Sequence, residues 1–244
     1  MKKYENVVRF ASVGLCELFT LITVGELISA GAAGNRLLMA CFTMILVLMP
    51  LVMERLLRCR LSLPVYIFTV LYAIGPMLGH CYNWYYTVPG GDKLLHTSGG
   101  VVFALLGLCL FDLMNKGETS VLLRALFALC FSVALSVIWE FVEYAADLLL
   151  NTDMQQDTLV HVINSYLLGD RVGYTGSIGD ISSVVVDGVR IGLEGYIDIG
   201  LHDTMQDMLV ETLGGLVVSV IHLCDGGKHR VVTPAALRKT PASA

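Results

Sequence analysis

Charge is scarce in this chain. Only 15% of its 244 residues are Asp, Glu, Lys or Arg, against about 25% in an ordinary soluble domain. That excludes a conventional water-facing surface. With 55% hydrophobic residues and a mean hydropathy of +0.70, the composition is that of a membrane protein. Excess positive charge is missing too: the formal net charge is −5, which gives no basic footprint for nucleic acid. Cysteine occurs seven times but never as CxxC, and most copies fall inside apolar stretches. They read as small buried apolar groups rather than a disulfide framework. No P-loop, nucleotide or redox motif is present, and no Ser or Cys stands beside a clear triad.

What is present is six long apolar stretches. A helix needs about 20 residues to cross the hydrocarbon. The candidates are residues 7–29, 37–53, 63–78, 94–114, 122–149 and 205–223. Pro50 and Pro64 fall near span ends, where helices tolerate them, and Pro76 is placed to kink the end of the third span. The first stretch carries Glu17 and Glu26 and is long for a signal core, so it reads as an uncleaved span. The fold class that follows is an all-α integral membrane protein, a six-span helical bundle. Its membrane domain covers residues 1–230, with an external excursion at 151–202 and a cytoplasmic tail at 231–244.

Basic residues set the expected orientation. Lys2, Lys3 and Arg9 precede or open span one, Arg55, Arg58 and Arg60 follow span two, and Lys116 and Arg124 lie between spans four and five. Lys228, His229, Arg230, Arg238 and Lys239 follow span six. With six spans all these fall on one side, and positive charge stays cytoplasmic, so both termini are expected inside. Arg36 and Lys93 are the short-loop exceptions. The aromatic cluster Tyr82, Trp84, Tyr85 and Tyr86 then falls at the outer interface, as aromatic belts do.

The excursion has its own signals. Residues 156–168 are expected to form a short helix lying on or dipping into the bundle. Asp187-Gly188 between two β-branched runs is a hairpin signal, so residues 171–200 are expected to form a hairpin acting as a lid over the outer mouth. Residues 156–161 echo residues 206–211 in sequence, each with an ionisable pair four residues apart.

The strongest functional signal is charge at membrane depth. Asp92 and His96 open span four, Glu140, Glu143 and Asp147 end span five, and Asp203, Asp207 and Glu211 open span six. Glu26 falls in the corresponding part of span one, and Glu17 lies deeper. Ionised groups in lipid are costly and usually functional. The spacings Asp92–His96, Glu143–Asp147, Asp203–Asp207 and Asp207–Glu211 are i,i+4, so each pair shares a helix face. So many carboxylates need a cation or shared protons in low dielectric. Carboxylate and imidazole suit Zn, Mn, Fe or Mg, and facing helices that each contribute such pairs assemble di-metal sites. His96, Glu140, Glu143 and Asp207 are the expected ligands of a divalent ion, and Asp203 and Glu211 the expected bases. The bland alternative makes Asp92 and Asp203 N-caps and leaves Asp147 solvated. His80 and His222 read as interfacial. Gly99-Gly100 and Gly214-Gly215 follow the polar residues and suggest that spans four and six touch or face span five.

Three ordered motifs carry a family resemblance: Asp92-x-x-x-His96-x-x-Gly99-Gly100, Trp139-Glu140-x-x-Glu143-x-x-x-Asp147, and Asp203-Thr204-x-x-Asp207-x-x-x-Glu211-x-x-Gly214. Over about residues 60–225 the chain resembles the YjdF-like bacterial membrane proteins, which are similar in turn to the VanZ-like superfamily. It departs from that pattern in its hairpin region and in the spacing of the third motif. The resemblance implies a multi-pass protein of the bacterial cytoplasmic membrane and supplies no catalytic role.

Three functions are compatible with these residues. One is a metal-dependent enzyme acting on a lipid-linked or amphipathic substrate at the outer leaflet. The second is an ion- or proton-coupled transporter. The third is a non-enzymatic envelope or resistance factor with a structural polar network. A closed outer pocket favours the first, a polar path to the cytoplasm the second, and polar pairs without a cavity the third.

Overall fold

The computed structural model describes residues 2–31, 34–56, 59–115, 117–228 and 232–234. The long helices are α1 (Lys2–Ser29), α2 (Asn35–Leu56), α6 (Gly91–Met114), α7 (Val121–Leu150) and α8 (Leu201–Cys224). Between α2 and α6 lie strand β1 (Cys59–Leu61), the pair α3 (Leu63–Ala73) and α4 (Gly75–Tyr82), and the single turn α5 (Trp84–Thr87). Among the described residues six helical segments are long and apolar enough to cross a membrane, α3 and α4 together making the third. The protein is therefore a six-span helical membrane protein with a loop region of small hairpins between α7 and α8. Of the basic residues used for orientation, Arg58, Lys116, His229, Arg230, Arg238 and Lys239 lie outside the described residues, as does most of the expected tail. Its residues 232–234 form β8 (Val232–Pro234), antiparallel to β1.

The spans bury their small and polar residues and expose their large apolar ones. Only 22–44% of each span's most apolar window is buried, which is the inverse of a soluble domain. Phe10, Leu15, Leu18, Ile45 and Phe141 all face outward, while Thr20, Thr43, Ser132 and Ser136 are buried. Lipid solvates the first set, and in the second Thr20 Oγ1 donates to the Cys16 carbonyl and Ser132 Oγ to that of Gly100.

The third span breaks at Ile74. Pro76 has no N–H and its ring crowds the carbonyl four residues earlier, so the helix restarts with Pro76 in its first turn. The kink falls at the start of α4 rather than at the span's end.

The chain divides into two compact units. The first is Met1–Ile138 with Met208–Ala244, and the second is Trp139–Asp207. In the first unit Val13, Cys16, Val47, Tyr66 and Val70 make one core between α1, α2 and α3, and Ala104, Leu108, Ala128 and Val218 make another between α6, α7 and α8. Glycine permits the second. A Cβ at Gly100 would stand 1.9 Å from the Glu211 carbonyl oxygen, and one at Gly214 would stand 2.2 Å from that of Thr97. A Cβ at Gly215 would meet Ser132 Oγ at 2.8 Å. Spans four and six touch, and both pack on span five, as the paired glycines suggest.

The second unit is mostly the excursion. β2 (Leu159–Val160) pairs with β7 (Tyr196–Ile197), β3 (Ile163–Ser165) with β4 (Gly176–Ile178), and β5 (Val184–Val186) with β6 (Val189–Ile191), all antiparallel. The Asp187-Gly188 turn closes the last hairpin with φ of 49° and 80°, the two positive angles its tight turn needs. The helix expected over residues 156–168 is not formed. Two strands stand there, followed by a single 3₁₀ turn at Tyr166–Leu168. Thr158, Val160, Val162 and Ile163 are β-branched, and a distant partner, β7, takes up the first strand's hydrogen bonds. The echo between residues 156–161 and 206–211 is therefore one of sequence alone, since only the second copy is helical.

Candidate functional site

The site is built on α6 and α8. Asp92 sits in the first turn of α6, after the N-cap Gly90, and His96 one turn further on. His96 is buried, with Nε2 3.6 Å from Asp92 Oδ1 and Nδ1 3.3 Å from Glu211 Oε1. Glu211 comes from α8 and is 1% exposed. Its close approach depends on Gly99 and Gly100: a Cβ at Gly99 would crowd Glu211 Oε1 at 3.1 Å. Lys93 Nζ lies 3.1 Å from Asp92 Oδ2 at the edge of this group. Asp92, His96 and Asp207 each offer a ligand atom, and the three atoms lie within 4.8 Å of one another. That Asp-His-Asp cluster is capable of holding a metal ion. Asp207 is one turn before Glu211 on the unbroken α8.

Each sequence-stated residue has a definite place. Glu140 and Glu143 are both buried on α7, in the second unit, and Trp139 Nε1 donates to Glu143 Oε1 at 2.8 Å. Asp203 is buried, in the first turn of α8, and its Oδ2 accepts the Gln156 N–H at 3.0 Å. Asp147 ties down the chain leaving α7. It accepts from Thr152 Oγ1 at 2.6 Å and from the N–H groups of Met154 and Gln155 at 2.7 and 2.8 Å. Its role is that of a cap within the loop, not of a solvated surface group. Glu26 is exposed on α1 and Glu17 is half-buried there. Asp92, weighed as a possible N-cap, is the carboxylate that joins His96 and Asp207 in the donor cluster.

Sequence reasoning missed two further groups. The first is a buried ion pair. Arg9 Nη1 donates to Glu54 Oε1 at 2.8 Å, Glu54 Oε1 also accepts the Leu61 N–H at 2.7 Å, and the Arg9 guanidinium lies 4.5 Å from the Tyr66 ring centroid. The residues are 45 apart, so no local pattern marks them. The positive-inside argument already put Arg9 and the end of span two on one face, and that was the available signal. The second is Asp198, whose carboxylate accepts the N–H groups of Thr158, His202 and Gly200 at 2.9, 2.8 and 3.3 Å. It ties β2 to the start of α8.

A line of buried polar groups runs along α7 and α8 within the first unit. Ser132 Oγ donates to the Gly100 carbonyl at 2.9 Å and Ser219 Oγ to that of Ala125 at 3.1 Å. Ser132 also faces Gly215 on α8, and Ser136 is buried one turn further along α7. Three turns beyond Glu211, in the last turn of α8, His222 is buried. Nearby, Arg124 Nη2 donates to Asp112 Oδ1 at 2.6 Å. From His96 to Asp112 is 16 residues, or about 24 Å along α6, so the two polar levels of this unit are most of a bilayer apart.

A multi-spanning helical protein with a buried imidazole among carboxylates is the class these features define. Within that class the chain belongs to the family described as predicted membrane proteins (DUF2238), whose model matches residues 11–225. No curated protein and no solved structure matches the chain.

Proposed function

We propose that this protein binds a divalent cation at Asp92, His96 and Asp207, with Glu140 and Glu143 completing the ligand set. The proposal holds further that the cation serves hydrolytic or transfer chemistry on a lipid-linked or amphipathic substrate. The observation that carries the reading is the convergence of one imidazole and two carboxylate donors within 4.8 Å. A bound divalent ion would lower the pKa of a coordinated water and polarise a phosphoryl or carbonyl oxygen. Glu211 is the better placed of the two proposed bases. It lies beside His96, whereas Asp203 Oδ2 is engaged by the Gln156 N–H. The basic-residue pattern supports a site facing the outer leaflet with both termini cytoplasmic, and the proposed lid is residues 171–200. The likeness of the three motifs to YjdF-like and VanZ-like proteins belongs to this proposal too.

The test is metal analysis of protein purified in detergent, stripped with chelator and reloaded with Zn or Mn. Stoichiometric retention by the parent is expected, with large losses in His96→Ala and Asp207→Asn and a smaller one in Glu140→Gln. Helical content should be unchanged in each. A parent that retains no ion, or a His96→Ala variant that retains as much, overturns the reading.

A second reading is favoured by the line Glu211, Ser136, Ser132, Ser219 and His222. Hydroxyls and an imidazole at successive turns, about 6 Å apart along the helices, suit a water-bridged proton path and hence coupled transport. Proton flux into liposomes that falls in both Ser136→Ala and His222→Phe favours it. Metal retention without flux favours the enzyme.

A further inference from the structure

The excursion carries a tight tip whose apolar side chains are exposed. Tyr166, Leu167 and Leu168 form the 3₁₀ turn that follows β3, and Ser165 caps it by accepting the Leu167 N–H. The chain then turns through Arg171 and Gly173, with the Tyr174 N–H donating to the Arg171 carbonyl at 3.1 Å. Two glycines bring the arms together at the base. A Cβ at Gly169 would stand 2.0 Å from the Tyr174 carbonyl oxygen, and one at Gly176 would stand 2.0 Å from that of Leu168. With the backbones in contact there is no space between the arms for side chains, which are forced outward. Leu167 is 95% exposed and Val172 is 103% exposed, flanked by Tyr166 at 71% and Tyr174 at 57%. Arg171 lies over the Tyr174 ring, 4.5 Å from its centroid, and pairs weakly with Asp170 at 3.9 Å.

Water is a poor solvent for this tip, since exposed apolar clusters on ordered turns mark interaction surfaces. We propose that its occupant is the bilayer itself, at the boundary between headgroups and acyl chains. Three observations favour lipid. The unit that carries the tip also contains the end of α7 and the start of α8, so the tip is tethered to the membrane at both roots. Those roots are apolar and exposed at Leu148, Leu149, Leu150 and Leu201, which continues a lipid-facing surface. The composition is interfacial: two tyrosines with an apolar body and a polar end, and an Arg–Asp pair beside zwitterionic headgroups. Leu167 and Val172 enter the acyl boundary, while Tyr166, Tyr174 and Arg171 remain at headgroup level. The tip acts as a third anchor for the excursion and fixes its height above lipid.

Fluorescence in reconstituted liposomes tests this. Leu167→Trp and Val172→Trp are made separately, with Val185→Trp on the other hairpin as the aqueous control. The parent emission from Trp84 and Trp139 is subtracted. In phosphatidylcholine vesicles the added emission at residues 167 and 172 should be blue-shifted. It should lose most of its intensity to chain-brominated lipid and little to aqueous iodide, while the Val185→Trp emission should show the opposite. Aqueous emission at 167 and 172, quenched by iodide and blind to brominated lipid, overturns the proposal. So does shielding from both quenchers, which would mean that protein covers the tip. Equal bromine quenching at 167 and 185 would show the whole excursion lying on lipid and also overturns it. The two tip variants report independently, so misfolding of one leaves the test intact.

Discussion

Two ionic groups of the spans differ in character. Around Arg9 the charges balance: one guanidinium meets one carboxylate, the Leu61 N–H adds a hydrogen bond to that carboxylate, and the Tyr66 ring covers the cation. Around His96 the carboxylates outnumber the cations: the imidazole stands within reach of Asp92 and Glu211, Lys93 meets Asp92, and Asp207 joins Asp92 and His96 as a donor. Both groups are removed from water, so the difference lies in stoichiometry. A balanced pair needs nothing further and serves as a strut. An excess of carboxylates is tolerable only with added positive charge, from protons or a metal ion, and that requirement makes the second group a site.

The largest expected effect breaks the strut. Arg9→Met leaves the part-buried Glu54 without its cation and should destabilise the protein by up to about 3 kcal/mol. Thermal unfolding in detergent reads this directly. Adding Glu54→Leu should recover most of the loss, since an apolar pair needs no compensation. If the double variant is no better than the single, the pair is not acting as a balanced unit. His96→Ala should show the opposite pattern, with a modest loss of stability and a large loss of metal.

Next in size is the glycine contact that brings α8 against α6. Gly100→Ala puts a Cβ where the Glu211 carbonyl stands, and overpacking of this kind costs about 1–3 kcal/mol. It should also lower metal retention, by moving Glu211 and its helix off His96. Gly14→Ala is the control: a Cβ there meets nothing within 4 Å, and it should be neutral or slightly stabilising. An equal response to both substitutions would mean that helix propensity, not close approach, governs Gly100.

The same contrast explains what was legible in the sequence. The six spans were, because hydropathy sums over some twenty residues and lipid reads the sum. The Asp187-Gly188 turn was, because two adjacent positive φ angles are a local demand. Asp92–His96 and the paired glycines were visible through helical spacing. The Arg9–Glu54 strut was not, because 45 residues separate its partners and the match exists only once α1 and α2 are packed. Residues 156–168 were misread for a related reason: β2 finds its partner at Tyr196–Ile197, so the local pattern lost to a distant strand. The donor cluster was legible in its parts, but Asp92's membership depends on where α8 passes α6.

A third prediction concerns Asp198, a small strut in the second unit. Asp198→Ala frees the N–H groups of Thr158, His202 and Gly200. Loss of a cap of this type costs about 0.5–2 kcal/mol. The effect should be local, read as faster hydrogen exchange in peptides covering residues 158–165 and 196–204, with the spans unchanged. Faster exchange throughout α8 would show that Asp198 supports the span as well.

The smallest effect is a pH dependence that repeats the comparison outside the membrane. Asp198 is held below the ordinary carboxylate range: burial works against it, but is outweighed by the N–H groups of Thr158, His202 and Gly200, with His202 also favouring the charge. Asp153 and Asp157 move the other way. Burial raises both, and so do neighbouring carboxylates, Asp157 and Asp147 for the first and Asp198 for the second. The signs therefore oppose. A carboxylate with a raised folded pKa binds its proton more readily in the folded state, so protonation of Asp153 and Asp157 strengthens the excursion as pH falls from neutral. Asp198 contributes stability above its unfolded pKa, about 3.9, and loses it as pH falls through its lower folded value. Exchange protection around β2 and β7 should rise slightly on mild acidification and then fall on strong acidification. Asp157→Asn should flatten the rise, because the mutual repulsion is already gone. Asp198→Asn should weaken the late fall, because the amide keeps one acceptor oxygen and has no proton to take up. A protection profile that only falls from neutral pH downward would mean that the crowded carboxylates are neutralised by another partner, and the contrast between balanced and unbalanced charge would not extend to the excursion.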